Sequence, residues 1–213
     1  MKLLTRYAFT AVAIVLFLVS LVSIGRFLFG GSAFASYGNL KVKGPESASV
    51  RVVVYSDFQC PACFHANAPL EELKNQFPDS LALEFRHFPL ERPHRWALLA
   101  ATFAECAAEQ DKFWEFHEKL FSTQEIWSKS EDAIPFFAQY AQEAGLDHLK
   151  MGSCLEDPKT IATVRRDHSM GVKQKVQSTP TIFINGRILV GALQLKEQGS
   201  SIVLEELKKS KKV

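Results

Sequence analysis

One stretch constrains this chain more than any other: a β-branched run that gives way to a helix at a cysteine pair. "VRVVVYSDF" (50–58) is long enough for a buried strand. From Pro61 the pattern changes, and "PACFHANAPLEELKNQF" (61–77) suits a helix, with Pro61 in the first turn where its missing N–H costs nothing. Pro69 is expected to kink that helix. "LALEFRHF" (81–88) then alternates like a strand. Strand, helix and strand in this order are expected to pair in parallel through a right-handed crossover. Cys60 and Cys63 flank the point where strand becomes helix.

The remainder predicts a helical block and then a second small β unit. "RWALLAATFAECAAEQ" is rich in helix formers, and "KFWEFHEKLF" puts Phe113, Phe116, Leu120 and Phe121 on one face. "IPFFAQYAQEAG" should stop at Gly145. Asp147 and Asp157 can each cap a short helix, the second with Pro158 at its first position and Gly171 beyond its end. "TPTIFINGRILVG" reads as two strands joined by Asn185-Gly186, the favoured type I′ pair. "SSIVLEELKKS" closes the chain as an amphipathic helix capped by a serine, and "NLKVKG" is a short edge strand. The order is strand, helix, strand, helical block, strand, strand, helix: an α/β fold.

With 213 residues, the chain fits one domain and a short appendage. Composition is ordinary for a globular protein, at 47% apolar and 23% charged, and the formal net charge is +2. The basic end "LKKSKKV" reads as a solvated tail rather than a nucleic-acid surface, since nothing elsewhere groups Lys or Arg into a stripe. The appendage lies at the other end. After Lys2 and Arg6, "YAFTAVAIVLFLVSLVSI" (7–24) carries no charge, and about eighteen residues make ~27 Å of helix against a ~30 Å hydrocarbon core. Residues 1–29 are therefore read as a signal anchor with the N-terminus in the cytoplasm, and 30–38 as a linker. The alternative is a signal peptide cut after Ala35, leaving a soluble exported protein. Both place the domain at 39–210 outside the cytoplasm, where thiols can be held oxidised.

In that setting the cysteine pair acquires chemistry. Residues three apart on a helix are neighbours, within the span a disulfide tolerates. A cysteine at a helix start meets free N–H groups and the positive end of the dipole, which favours thiolate, the nucleophile of disulfide exchange. If the Cys60 pKa fell from ~8.5 to ~5, the reduced state would gain ~2.7 kcal/mol at pH 7, roughly 55–60 mV of oxidising power. Other readings compete. Zinc normally needs four ligands with a second close pair, and Cys106 and Cys154 stand far apart in sequence. A structural disulfide across two residues closes too small a loop to help much, and two inert core cysteines would not need Pro61 beside them.

The segments "SDFQCPAC" (56–63), "KFWEFHEKLF" (112–121) and "STPTIFING" (178–186) together resemble the DsbA-like branch of the thioredoxin superfamily, over roughly residues 39–210. The resemblance implies a thioredoxin fold with a helical insertion at about 92–171, acting as an extracytoplasmic thiol–disulfide oxidoreductase. Cys60 would be the exposed nucleophile, Cys63 the resolving thiol, and Thr179-Pro180 a cis-proline loop offering backbone to an extended client. It also implies a second disulfide between Cys106 and Cys154, against the alternative of two buried thiols. The chain departs from the family at two places. Val54 stands where many relatives carry a buried Glu, and the Pro-Ala dipeptide lacks the histidine that helps acidify the nucleophile of the family's namesake. Asp57 is not assigned that Glu's role, and His65 is read as a solvated helix residue.

The function expected is disulfide formation in exported client proteins with thiols, through a mixed disulfide at Cys60. A membrane partner of DsbB or vitamin-K-epoxide-reductase-like (VKOR-like) type would restore the pair. No metal, flavin or nucleotide is called for; the cofactor is the redox-active disulfide itself. A thiol reductase or isomerase of the same fold is the alternative, and a redox-regulated binding chaperone lies in a different class.

Overall fold

A computed structural model describes residues 40–210. The anchor and linker expectations, and the end of the basic tail, lie outside the described residues. Among the described residues no helix is long and apolar enough to cross a membrane.

Among the described residues five strands make one sheet: β1 (Val42–Lys43), β2 (Val50–Ser56), β3 (Leu81–His87), β4 (Thr181–Ile184) and β5 (Arg187–Val190), in the order β1-β3-β2-β4-β5. The β-branched run is the central strand, and both its neighbours matter for the site. β2 lies parallel to β3 from Val50↔Leu81 to Ser56↔His87, and antiparallel to β4 from Val52↔Ile184 to Tyr55↔Thr181. β3 read as an alternating strand, yet six of its seven residues are buried. It is covered on both faces because helices pack on both sides of the sheet. β1 is the edge strand expected of "NLKVKG", antiparallel to β3. Asn185 and Gly186 turn β4 into β5 with φ of 45° and 88°, as a type I′ turn requires.

Eight helices accompany the strands among the described residues. α1 (Pro61–Gln76) follows β2 and continues through Pro69. Between β3 and β4 come α2 (Ala97–Ala108), α3 (Phe113–Ser122), α4 (Gln124–Trp127), α5 (Ile134–Glu143), α6 (His148–Glu156) and α7 (Pro158–Lys173), the helical insertion. Asp147 caps α6 by accepting the N–H groups of Leu149 and Lys150, and Asp157 caps α7 by accepting that of Lys159. Phe113, Phe116, Leu120 and Phe121 all point inward from α3.

Two boundary expectations need correction. α7 does not stop before Gly171 but passes through it to Lys173. A Cβ there would sit 2.7 Å from the Phe88 ring and 3.0 Å from Tyr55, so this glycine permits close helix–sheet approach rather than ending a helix. Likewise the last helix, α8, begins at Gly191 and runs unbroken to Ser210. Ser200 is mid-helix, donating to Gln76 Oε1 of α1 at 2.5 Å, and not a cap. Packing against α1, with Gly199 close to Leu73, extends the helix beyond its amphipathic end.

The insertion is joined to the sheet by buried charge as well as apolar contact. Lys41 Nζ donates to Glu105 of α2 and, at 2.7 Å, to Asp167 of α7. Arg86 of β3 donates to the other Asp167 oxygen at 2.9 Å and pairs with Glu84. Each charge inside this cluster has a partner, the condition under which ions tolerate burial.

Candidate active site: a dithiol at the head of the first helix

The central strand ends at Ser56, and a tight turn from Asp57 to Cys60 leads into α1, the Cys60 N–H donating to the Asp57 carbonyl at 3.1 Å. Cys60 is the N-cap of α1, with extended φ and ψ of −77° and 121°, and Pro61 follows at the first helical position. No acidic residue occupies the first turn to oppose a negative sulfur there.

The helical insertion holds this turn from outside. Gln124 Nε2, at the start of α4, donates to the carbonyls of Phe58 at 2.7 Å and Cys60 at 3.0 Å. Gln59 accepts the Trp96 N–H at 2.8 Å and donates to the Ser128 carbonyl at 3.2 Å. Phe58 is fully buried, stacked on Phe85 with centroids 5.1 Å apart. None of these braces was evident from the sequence, since Gln59 and Gln124 carry no motif.

Cys60 and Cys63 are both free thiols, 8% and 1% exposed. The expectation of an exposed nucleophile is met only as a contrast between the two. Cys60 is mostly covered because the loop before β4 lies over it, its Sγ 3.5 Å from the Thr179 carbonyl. The Thr179-Pro180 peptide is cis. Thr179 Oγ1 is buried and without a hydrogen-bond partner. Pairing of β4 with β2 places this loop, because Thr181 stands opposite Tyr55.

The two sulfurs are electrostatically unlike. The Cys63 thiol, aimed at Cys60, does most to lower the Cys60 pKa, to about 5; burial opposes it, and Thr179 and the amides of Cys63 and Ala62 assist. These are groups that gain strength as the sulfur becomes negative. Burial pushes Cys63 well above its ordinary value, and the neighbouring Cys60 adds to that despite Ser56 and the Asp57 amide, 3.4 Å from its Sγ. The site thus holds one sulfur that ionises readily beside one that keeps its proton.

Behind Cys63 lies a cavity of about 10 Å³ lined by Val54, Ser56, Asn67, Trp114 and His117 among others. Val54 is buried there, an apolar wall at the position where the resemblance would have placed a carboxylate. His117, buried on α3, has its pKa lowered to about 3 by desolvation, so it is neutral. His65 is exposed on α1, as read from the sequence.

Cys106 on α2 and Cys154 on α6 are joined by a disulfide, Cα–Cα 5.7 Å, away from Cys60 and Cys63 in sequence and on different helices from them. Among the described residues, His87, Glu105 and Asp167 are the group whose ligand atoms lie within 4.8 Å of one another. The Lys41 ammonium already lies against both carboxylates, so the position a metal ion would need is held by a protein cation.

A five-stranded α/β sheet, a helical insertion between its third and fourth strands, and a dithiol capping the first helix define a thioredoxin-type domain. The chain belongs to the thioredoxin family, whose model, described as Thioredoxin, matches residues 38–203. BdbD from Bacillus subtilis, in its oxidised form, shares the fold with a TM-score of 0.70 and 23% identity, covering 79% of this chain and 92% of that one. A thioredoxin-like oxidoreductase from Silicibacter pomeroyi does so with a TM-score of 0.64 and 24% identity, covering 81% and 92%. Among curated proteins, the Na(+)/H(+) antiporter NhaA 3 of Salinispora tropica is 33% identical over 162 residues, 76% of this chain and 24% of the antiporter. The chain spans about a quarter of the length of the curated relatives it matches.

Proposed function

We propose that the chain is a thiol–disulfide oxidoreductase of DsbA-like type that forms disulfides in exported proteins. One observation carries the reading: Cys60, at the head of α1, has its pKa lowered to about 5, while Cys63, 1% exposed, stays protonated. A thiolate of low pKa is a good leaving group, so the Cys60–client bond is readily broken and the oxidised pair is readily reduced.

In the forward cycle the Cys60–Cys63 disulfide is attacked at Cys60 by a client thiolate. The S–S bond breaks, and Cys63 leaves as a thiolate and takes up a proton. A second client thiolate then attacks the client sulfur of the mixed disulfide, releasing Cys60 as thiolate. Two electrons pass from the client to the pair, and a membrane partner of DsbB or VKOR-like type would remove them. Thr179 would offer its backbone to the client in the manner of a strand, beside the sulfur that reacts.

The domain at 39–210 is assigned to the extracytoplasmic side, with residues 1–29 as anchor or cleaved signal and 30–38 as linker. The apolar run at 7–24 and the Cys106–Cys154 bridge support that placement, since disulfides persist in oxidising compartments. Ion exchange is not proposed, because the similarity covers about a quarter of the antiporters that carry that name.

The test is oxidation of a reduced, unfolded client by the purified disulfide form, with Cys60→Ser alongside. Loss of client oxidation in the variant supports the reading. Unchanged oxidation would defeat it, and retained suppression of client aggregation without any thiol turnover would point to the redox-regulated chaperone instead. A reduction potential near −120 mV would favour an oxidase and one near −270 mV a reductase.

A further inference from the structure

Asp57 is 2% exposed and has two commitments that conflict. Its side chain holds the chain together around the site. Oδ1 accepts the Gln59 N–H at 2.7 Å, and Oδ2 accepts the Leu90 N–H at 2.8 Å while facing His94 Nδ1 at 2.7 Å. Its backbone serves the redox pair: the N–H points at Cys63 Sγ, and the carbonyl accepts the N–H of Cys60. A carboxylate therefore sits at one corner of a turn whose opposite corner is the sulfur that must become negative. A negative charge at one corner disfavours a second at the other, which would raise the Cys60 pKa.

His94 is placed to remove the conflict. It lies in the loop between β3 and α2, in a turn closed by its own N–H donating to the Leu90 carbonyl at 3.0 Å and by the Ala97 N–H donating to its carbonyl at 3.1 Å. Gln59 fixes the same loop two residues on, through the Trp96 N–H. The ring is thus held against Asp57 from both sides, with a side chain 17% exposed, so solvent protons reach it while bulk salt screens it only in part. The Pro-Ala dipeptide between the cysteines supplies no cation of its own.

We infer that His94 is a positioning residue for the Cys60 thiolate: its imidazolium, seated on Asp57, cancels the carboxylate's charge and so keeps the sulfur anion stable. This rests on the reading of Cys60 as the nucleophile. The hydrogen bond that His94 donates to Asp57 raises the His94 pKa, burial opposes it, and the charges of Asp57 and Cys60 raise it further; these two are the ionisable groups acting on the ring. Linkage makes the effect reciprocal. If the imidazolium favours the thiolate, the thiolate favours the imidazolium by the same free energy. Closing the Cys60–Cys63 disulfide removes the thiolate, so His94 must lose its proton more easily in the oxidised protein.

The test uses the full folded chain. The His94 ring is titrated by NMR in the dithiol and disulfide forms, and the Cys60 thiolate is titrated by absorbance near 240 nm in wild type, His94→Gln, and the double variant Asp57→Asn with His94→Gln. The expected results are a His94 pKa higher by roughly 0.5–1 unit in the dithiol form, and a Cys60 pKa raised by a similar amount in His94→Gln; charges at 4–6 Å give larger shifts, reduced here by partial solvation. The double variant has no carboxylate left to cancel and should return Cys60 towards its wild-type value, which a merely structural role for His94 would not produce. An identical His94 pKa in both redox forms overturns the inference, even if His94→Gln fails to fold. A wild-type Cys60 that titrates near the ordinary thiol value overturns the proposed function as well, so the two failures are distinguishable.

Discussion

Cys60 Sγ lies 3.5 Å from the carbonyl oxygen of Thr179, a residue 119 positions later in the chain. The two meet because the turn that follows β2 leads to Cys60, and β4, antiparallel to β2, starts just after Thr179 and Pro180. In the proposed function, the sulfur that would exchange partners is thereby set beside the backbone that would hold an extended client. That juxtaposition, with the acidity of Cys60, yields the following expectations.

The largest influence lowering the Cys60 pKa is the Cys63 thiol. Cys63→Ala should therefore move the Cys60 titration upward from about 5 by about one unit or more, as the loss of a donor to an anion does. Thiolate absorbance near 240 nm reads this directly. A Cys60 value in the variant equal to that of wild type would show that the helix start, not its neighbour, sets the acidity.

Thr179→Val replaces a hydroxyl by a methyl group of like size. Its Oγ1 has no hydrogen-bond partner while Cys60 is a thiol, so the fold should lose less than ~1 kcal/mol. The Cys60 pKa should nevertheless rise, because the Thr179 side chain favours the anion. Urea unfolding and the same titration separate the two effects; a large stability loss with an unmoved pKa would refute the assignment.

Redox state should make stability depend on pH. Folding lowers the Cys60 pKa to about 5 from 9.0, so between those values the unfolded chain binds more protons and stability rises with pH. Its contribution is full above pH 9 and lost as pH falls through 5. Cys63, pushed up by burial, stays protonated when folded and opposes this only at the alkaline end. Relative to the disulfide form, in which neither sulfur titrates, the dithiol form should gain about 2 kcal/mol from pH 5 to 8 after allowance for solvent screening. Equal pH slopes for the two forms in chemical denaturation would contradict it.

The Cys106–Cys154 bridge spans a sequence separation of 48. Replacing both with Ala should lower stability by up to ~4 kcal/mol, the entropic ceiling for such a loop. The Cys60 titration should stay where it is, since the bridge joins α2 to α6 and neither carries Cys60 or Cys63. Before any substitution, the unreduced chain with its dithiol intact should show two reactive thiols on denaturation; four would mean the bridge is absent.

Gly171→Ala should destabilise the fold by roughly 1–3 kcal/mol, because the added carbon meets the Phe88 ring at 2.7 Å and neither α7 nor β3 can yield freely. Thermal unfolding checks it. An unchanged midpoint would mean that the Phe88 ring swings aside.

Much of this molecule is written locally. The switch from β-branched residues to helix formers at Cys60, the Asn185-Gly186 turn and the caps at Asp147 and Asp157 each depend on residues a few positions apart, and the structure places them as read. The misread boundaries were those set from outside the segment. Gly171 and Ser200 look like helix ends, but Phe88 and α1 pack against them, and burial of an apolar face outweighs a weak local stop. β3 looked half-exposed because its covering helices lie far along the chain.

The sequence by itself determined the order of elements and the presence of a paired sulfur at a helix start, since both follow from neighbours in the chain. Only the tertiary structure decided how those sulfurs differ. Cys60 and Cys63 are chemically the same residue; one is held from water by β2, β3 and the insertion, while the other meets a donor thiol and a loop brought by β4. Burial and distant charges act through space, so the contact between Asp57 and His94, and the closeness of Thr179 to the Cys60 sulfur, stayed silent until the fold assembled them.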